Sequence, residues 1–432
     1  MTSSGQWSGF PPELIHEIVI HCGSTFSTLK ALCLTSRTAR YSAIRYLFSQ
    51  IVMVSADDFE MWLDIVTRMP NLTLSVRQVT FRPCASGREM RPLKDVWEPS
   101  RMPRMPKVLR VKIHAAPSLD QHAGFLAKSP AFLSLFPNVI ELHLSAKFRG
   151  LHPFYALLRA CGKLRTLHLV DTDVWAGGDA MPNPNAAECR FDLSKLENLL
   201  IHSPCAVPNH FIMNILDRSP PTALRSLKLG TSSRVLFPPL LDTILGLAEH
   251  SIQHLDVNSN ARSDDMNNNA HYIRALKRRI SLPSLTSVTI WLDKMVDDDL
   301  INALPLAPNL TLIMLRIAAR SSDDILQTTS SLKILAIKAE QSFPQLHRLI
   351  FQLYVPRASA LNRVRQDLHC EPARRAEVER NVRLWLPRFE SGVQFHFEWF
   401  DLDPNVGTRV KYDENGFPPW LPMHMMQDNL WM

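Results

Sequence analysis

V139-I140-E141-L142-H143-L144 and, 25 residues further on, L164-R165-T166-L167-H168-L169 carry one pattern: apolar, two variable, apolar, one variable, apolar. The last three positions alternate as a half-buried strand must, because successive side chains of a strand point to opposite faces of a sheet. The pattern returns as VRQVTF from Val76, VLRVKI from Val108, LENLLI from Leu196, LRSLKL from Leu224, IQHLDV from Ile252, LTSVTI from Leu285, LTLIML from Leu310 and LKILAI from Leu332, with starts 22 to 33 residues apart. Ten matches at that spacing stand well above accident. They point to an array in which each unit buries its leucines only by stacking on its neighbours.

Between the strand motifs run stretches of helical periodicity, among them FYALLRAC, NHFIMNIL, PPLLDTILGLA, AHYIRALKRR and DDDLINAL; Asp297, Asp298 and Asp299 favour the start of the last one. Strand and helix alternate, so the expected class is α/β, a solenoid of short parallel strands alternating with helices. This array resembles the leucine-rich-repeat family in an irregular form. Only Asn260 fits the asparagine the family often carries at the turn, with Thr172 and Ser232 as weaker stand-ins. Residues 83–106 and 176–190 read as loop insertions. The array is expected over 51–350. Beyond Leu335, FPQLHRLIFQLYV reads as a last helix. A charged helix from Pro372 presents Val378, Val382, Trp385 and Leu386 until Pro387 ends it, and VQFHFEW alternates as a strand. Residues 351–432 are expected to cap the array, with the tail FPPWLPMHMMQDNLWM packing back or binding something.

Upstream of the array, FPPELIHEIVIHC (Phe10–Cys22) begins a helix: Pro11 and Pro12 suit its first turn and Glu13 suits its positive end. Leu14, Ile15, Ile18, Val19 and Cys22 form one apolar stripe. Two more helical segments follow, one with Leu29, Leu32 and Cys33, the other with Ala39, Ala43, Ile44, Leu47 and Phe48. His16 and His21 do not make a zincin motif. Five residues apart, they point about 140° away from each other on a regular helix. The run F10-P11-P12-E13-L14-I15, the segment L29-K30-A31-L32-C33-L34-T35-S36-R37 and the closing R45-Y46-L47-F48 resemble an F-box, of the kind that begins many fungal proteins. The resemblance covers Phe10 to about Phe48 and gives residues 10–50 as a small three-helix domain after a disordered 1–9. It implies docking on the Skp-type adaptor of a cullin-based ubiquitin ligase through Phe10, Pro11, Leu14, Ile15, Ile18, Leu29 and Leu32. Ser36 and Ala39 stand where the family usually has cysteine and tryptophan.

Composition removes other classes. The 432 residues, 46% hydrophobic and 21% charged, can bury a large core; the net charge of +7 is spread along the chain and does not argue for nucleic acid. Seven cysteines with no CxxC pair, no signal-peptide pattern and no apolar run of membrane-spanning length imply a cytoplasmic or nuclear protein without a membrane partner. There is no GxxxxGK[ST], GxGxxG or GxSxG motif, and the 14 glycines leave few places to cradle phosphate. No catalytic residues, metal site or cofactor are expected. A hydrolase is a distant third reading.

The variable strand positions should line the face where such arrays bind. They include Arg82, Arg110, Lys112, His114, His143, His168 and Lys228, with Glu141 and Asp171 as the only nearby anions, and then Trp291, Leu312 and Met314. That face suits an acidic or phosphorylated target with an apolar anchor, and protonation of the histidines near pH 6 should strengthen its capture. The favoured function is a non-catalytic substrate receptor of a Skp-cullin-F-box ligase, whose partners supply catalysis by proximity. The alternative is a repeat scaffold with a degenerate F-box and no ligase partner.

Overall fold

Pro106, Pro137, Pro283, Pro308 and Pro344 each stand four residues before a strand. In each case the N–H two residues after the proline donates to the carbonyl of the residue before it: Val108 to Met105, Val139 to Phe136, Leu285 to Leu282, Leu310 to Ala307 and Leu346 to Phe343, at 3.0 to 3.3 Å. Proline presets the dihedral a turn needs at its second position. Both ends of every one of these turns are buried. Cys161–Leu164, Leu193–Leu196 and Pro221–Leu224 make the same turn without proline there. The repeat is thus longer than its strand motif and includes an apolar residue three positions upstream.

The computed structural model describes residues 11–22, 26–35, 37–82, 93, 98–114, 126, 128–170, 172–175, 191–203, 208–231, 237–259, 281–292, 307–318, 339, 341–356, 380 and 394–402. The chain divides into two compact units, 1–224 and 225–432.

The first unit begins with α1 (Pro12–Cys22), α2 (Phe26–Thr35) and α3 (Arg37–Leu47). Pro12 opens α1 with Glu13 in its first turn, as expected of a residue with no N–H to lose. Val19, Leu29, Leu32 and Ala43 pack together between the helices, with Cys33, Tyr46 and Leu47 against them. Strand β1 (Gln50–Met53) follows, then α4 (Ala56–Arg68). A reciprocal cap starts α4: Ser55 Oγ accepts from the Asp58 N–H at 3.2 Å while Asp58 Oδ2 accepts from the Ser55 N–H at 2.9 Å.

Next come β2 (Gln78–Phe81), β3 (Arg110–His114), β4 (Glu141–Ser145), β5 (Lys147–Arg149), α5 (Leu151–Ala160), β6 (Thr166–Val170), β7 (Asp173–Trp175), β8 (Asn198–Ser203) and α6 (Pro208–Arg218). Strands β1, β2, β3, β4, β6 and β8 pair in that order, all parallel; β5 and β7 pair separately. Leu142, Leu144, Leu167 and Leu169 are buried on one side of this sheet, and the aromatics Phe148 and Phe154 meet edge to face at 5.3 Å.

The second unit holds β9 (Ser226–Thr231), α7 (Phe237–Leu247), β10 (His254–Ser259), β11 (Ser287–Leu292), β12 (Leu312–Ala318), β13 (Arg348–Pro356) and β14 (Gln394–Leu402). Its six strands pair in chain order, again all parallel.

One backbone device sets the register of both units. At successive strand entries the N–H groups of two consecutive residues share one carbonyl of the preceding repeat: Leu109 and Arg110 use Arg77, Ile140 and Glu141 use Leu109, Arg165 and Thr166 use Ile140, and His347 and Arg348 use Thr311. Asn138 and Asn309 add side-chain bonds to the carbonyls of Pro106 and Pro283. These contacts satisfy main-chain groups at the strand entries.

The architecture is therefore α/β, with parallel strands alternating with helices in a solenoid-like repeat. Three expectations change. FPQLHRLIFQLYV is not a helix: Arg348–Pro356 is β13, and Leu346, Leu349 and Phe351 repeat the strand motif. β12 pairs directly with β13, so the place next to β12 belongs to this segment; LKILAI at 332–337 lies outside the described residues, as do the helical segments at 270–279 and 297–304. Finally, parallel pairing continues through β13 and β14, so a boundary at 350 falls inside a strand. VQFHFEW does form a strand, within β14.

Candidate functional site

Parallel pairing without slippage places equivalent positions of successive repeats in rows across the sheet. In the first unit one row is Gln78, Arg110, Glu141, Thr166 and Asn198; the next is Thr80, Lys112, His143, His168 and Leu200. Neighbouring strands are about 4.8 Å apart, close enough for long side chains to reach the next repeat.

They do so as a chain of hydrogen bonds. Arg110 Nη1 donates to Gln78 Oε1 at 3.1 Å, and Gln78 Nε2 donates to Thr80 Oγ1 at 3.4 Å. Arg110 Nε donates to Glu141 Oε2 at 2.5 Å. The other carboxylate oxygen, Oε1, takes His143 Nε2, also at 2.5 Å, and His143 Nδ1 lies 3.1 Å from His168 Nδ1. Four strands are tied together by side chains that the sequence alone presents as separate variable positions.

Burial and neighbouring charges shift these groups in opposite directions. Burial alone would raise the Glu141 carboxyl, but its bond to His143 and the Arg110 guanidinium outweigh that and hold it down to about 2. His143 is lowered, by burial first and by Lys112 and Arg110, against the pull of Glu141. A neutral His143 donating from Nε2 to an ionised Glu141 has its Nδ1 left as the acceptor facing His168. His114 is pushed down to about 4 by burial and by Lys112, His143 and Arg82, and His202, on β8, to about 4 by burial. Burial thus works against the gain in positive charge expected near pH 6 at His114 and His143.

The expected target-binding residues separate accordingly. Arg82 is exposed, Arg110, His114 and His168 are half-buried, and Lys112 and His143 are buried at 7% exposure each. Lys228, Leu312 and Met314 belong to the second unit, where Met314 is buried beside Thr289 and Ile350 of the adjoining strands. A buried methionine is core and does not serve as a surface anchor. Trp291 lies on β11, its side chain outside the described residues, and Asp171 is likewise outside them.

Sequence reasoning missed a polar group in the second unit. Arg316 is 1% exposed, donates from Nε to Gln352 Oε1 at 2.8 Å, and holds Nη1 3.8 Å from Asp256 Oδ2. Burial raises the Asp256 carboxyl, with Arg316 and Lys228 pulling it back. The signal was present: positions 256 and 316 fall on variable strand positions, where a charge is read as solvated.

The adaptor residues also divide. Ile15, Leu29 and Leu32 are buried inside the helical unit, so they hold it together and offer no surface. Pro11 and Leu14 are exposed and Ile18 is half-buried, while Phe10 lies outside the described residues. Two exposed apolar side chains were not singled out, Leu34 at 82% and Tyr41 at 63%, beside Leu14 at 50%. Ala39 is fully buried, leaving no room for a larger side chain without repacking.

Glu141, His143 and His168 could together ligate a metal, their candidate atoms lying within 4.8 Å of one another. The fully buried Cys161 thiol is pushed up to about 12, which leaves it un-ionised and unreactive at neutral pH. Among the described residues no helix is long and apolar enough to cross a membrane. No protein-family model and no curated protein matches the chain.

Proposed function

We propose that this chain is the substrate-recognition subunit of a Skp-cullin-F-box ubiquitin ligase, with the N-terminal helices as an F-box and the strands as an irregular leucine-rich-repeat array. The observation that carries the reading is the helical unit's division of its apolar residues. Val19, Leu29, Leu32 and Ala43 already fill its interior, yet Leu14, Leu34 and Tyr41 remain exposed on helices that total about three turns each. Three helices of ten or eleven residues make a marginal domain. Keeping large apolar side chains in water on such a domain suits a surface meant to be covered by a partner. The partner inferred is the Skp-type adaptor, with a cullin beyond it.

The array would present the target. The outward rows of its first unit are largely polar, and at their start Arg82 is exposed to meet a carboxylate or phosphate. No step of catalysis is assigned to this chain. Affinity purification of the intact chain from cells tests the reading: a ligase receptor brings down a Skp-type adaptor together with a cullin. Recovery of a folded chain with neither returns the interpretation to a repeat scaffold without a ligase partner.

A further inference from the structure

Side chains of β4 and β6 bring a carboxylate and two imidazoles together at the centre of the first unit's sheet. We propose that His143 and His168 bind a divalent transition-metal ion of the imidazole-preferring class, such as Zn2+, through their two Nδ1 atoms, with Glu141 supporting the far nitrogen of His143.

The geometry is close to what an ion requires. Zinc–nitrogen bonds are about 2.0–2.1 Å. Two nitrogens 3.1 Å apart would then subtend about 98° at a shared ion, between the square and tetrahedral values. The rings are inclined by 57° with centroids 3.9 Å apart, so they do not stack flat, and a rotation of the half-buried His168 ring is what aims both Nδ1 lone pairs at one ion. The Nε2 of His143 is engaged by Glu141, whose other oxygen is held by Arg110. That is the carboxylate–histidine arrangement that fixes a ligand's tautomer and raises its basicity. In the metal-free molecule one Nδ1 carries a proton toward the other. On binding, His168 moves its proton from Nδ1 to Nε2, and both Nδ1 lone pairs face the ion.

Charge sets the cost. Lys112 pairs in register with His143 across β3 and β4 and opposes a dication, while Glu141 cancels Arg110. The site is thereby matched to a metal that gains from nitrogen ligands, and poorly matched to Ca2+ or Mg2+, which need several oxygens. His168 is half-buried and offers the route of entry and the side on which solvent completes the coordination.

The test is a calorimetric titration of the intact chain with Zn2+, repeated on His168→Asn, His143→Asn and Glu141→Gln, with circular dichroism as the check on folding. Imidazole 15N resonances of the wild-type chain are followed in parallel. The expected result is one equivalent of Zn2+ lost in each histidine variant, an affinity about 10- to 100-fold weaker in Glu141→Gln, and Nδ1 shifts at His143 and His168 alone. Equal stoichiometry and affinity in wild type and His168→Asn overturns the proposal. So do unmoved Nδ1 resonances in the wild-type chain, a readout that needs no variant to fold.

Discussion

Lowering the pH from 7 to 5 should destabilise the first unit, and His202 supplies a separable share of that loss. His202 is 6% exposed and burial pushes it down to about 4, against an ordinary value near 6.5. The sign follows from proton binding. Between pH 6.5 and 4 the unfolded chain binds a proton at His202 that the folded chain does not. Stability from this site is therefore complete above about pH 6.5 and is lost as pH falls toward 4, below which it no longer changes. A shift from 6.5 to about 4 corresponds to about 3 kcal/mol at its limit, of which about 2 kcal/mol disappears between pH 7 and 5. Urea unfolding at the two pH values, for wild type and His202→Leu, isolates the term, because other titrating groups act in both proteins. The wild-type chain should lose about 2 kcal/mol more than the variant. An NMR titration of His202 should give a midpoint near 4. A midpoint near 6.5, or parallel losses in the two proteins, refutes the reasoning.

Arg316→Ala should cost about 3–5 kcal/mol, because it removes the buried cation beside the Asp256 carboxylate and its bond to Gln352; denaturant melts measure it. Phe154→Ala removes a fully buried ring that meets Phe148 edge to face, and an expected loss of about 3–5 kcal/mol is read the same way. Ser55→Ala breaks the reciprocal cap of α4 and should cost about 1 kcal/mol, seen as faster amide exchange in its first turn.

The row positions were legible because a parallel repeat without bulges turns sequence offset into spatial neighbour. His143 and His168 occupy the same place in LHL of two successive motifs and therefore meet. What the sequence cannot express is depth. Lys112 and His143 read as outward, and they are outward, yet Thr80, Arg110, Glu141 and His168 crowd beside them and close off the solvent. The same gap hides which apolar residues of α1 and α2 are inside: Leu14 and Ile15 are adjacent and both strongly apolar, yet Ile15 is core and Leu14 is exposed. In L346-H347-R348-L349-I350-F351-Q352-L353-Y354-V355 the apolar residues are so dense that both a 3.6-residue and a two-residue period fit. The upstream turn settles that case, since Phe343-Pro344 repeats Phe136-Pro137, a feature visible in the sequence once the unit is known to start there.

Direct binding of the purified chain to a purified Skp-type adaptor tests the central claim, comparing wild type with Leu14→Asp/Leu34→Asp. Both leucines are exposed, so the double variant should keep its fold by circular dichroism and its melting behaviour. Wild type should form a stable complex with the adaptor, and the double variant should lose it at the same concentrations. A folded wild-type chain that does not bind, or a variant that binds as well as wild type, contradicts the assignment of the N-terminal helices as an adaptor-docking module.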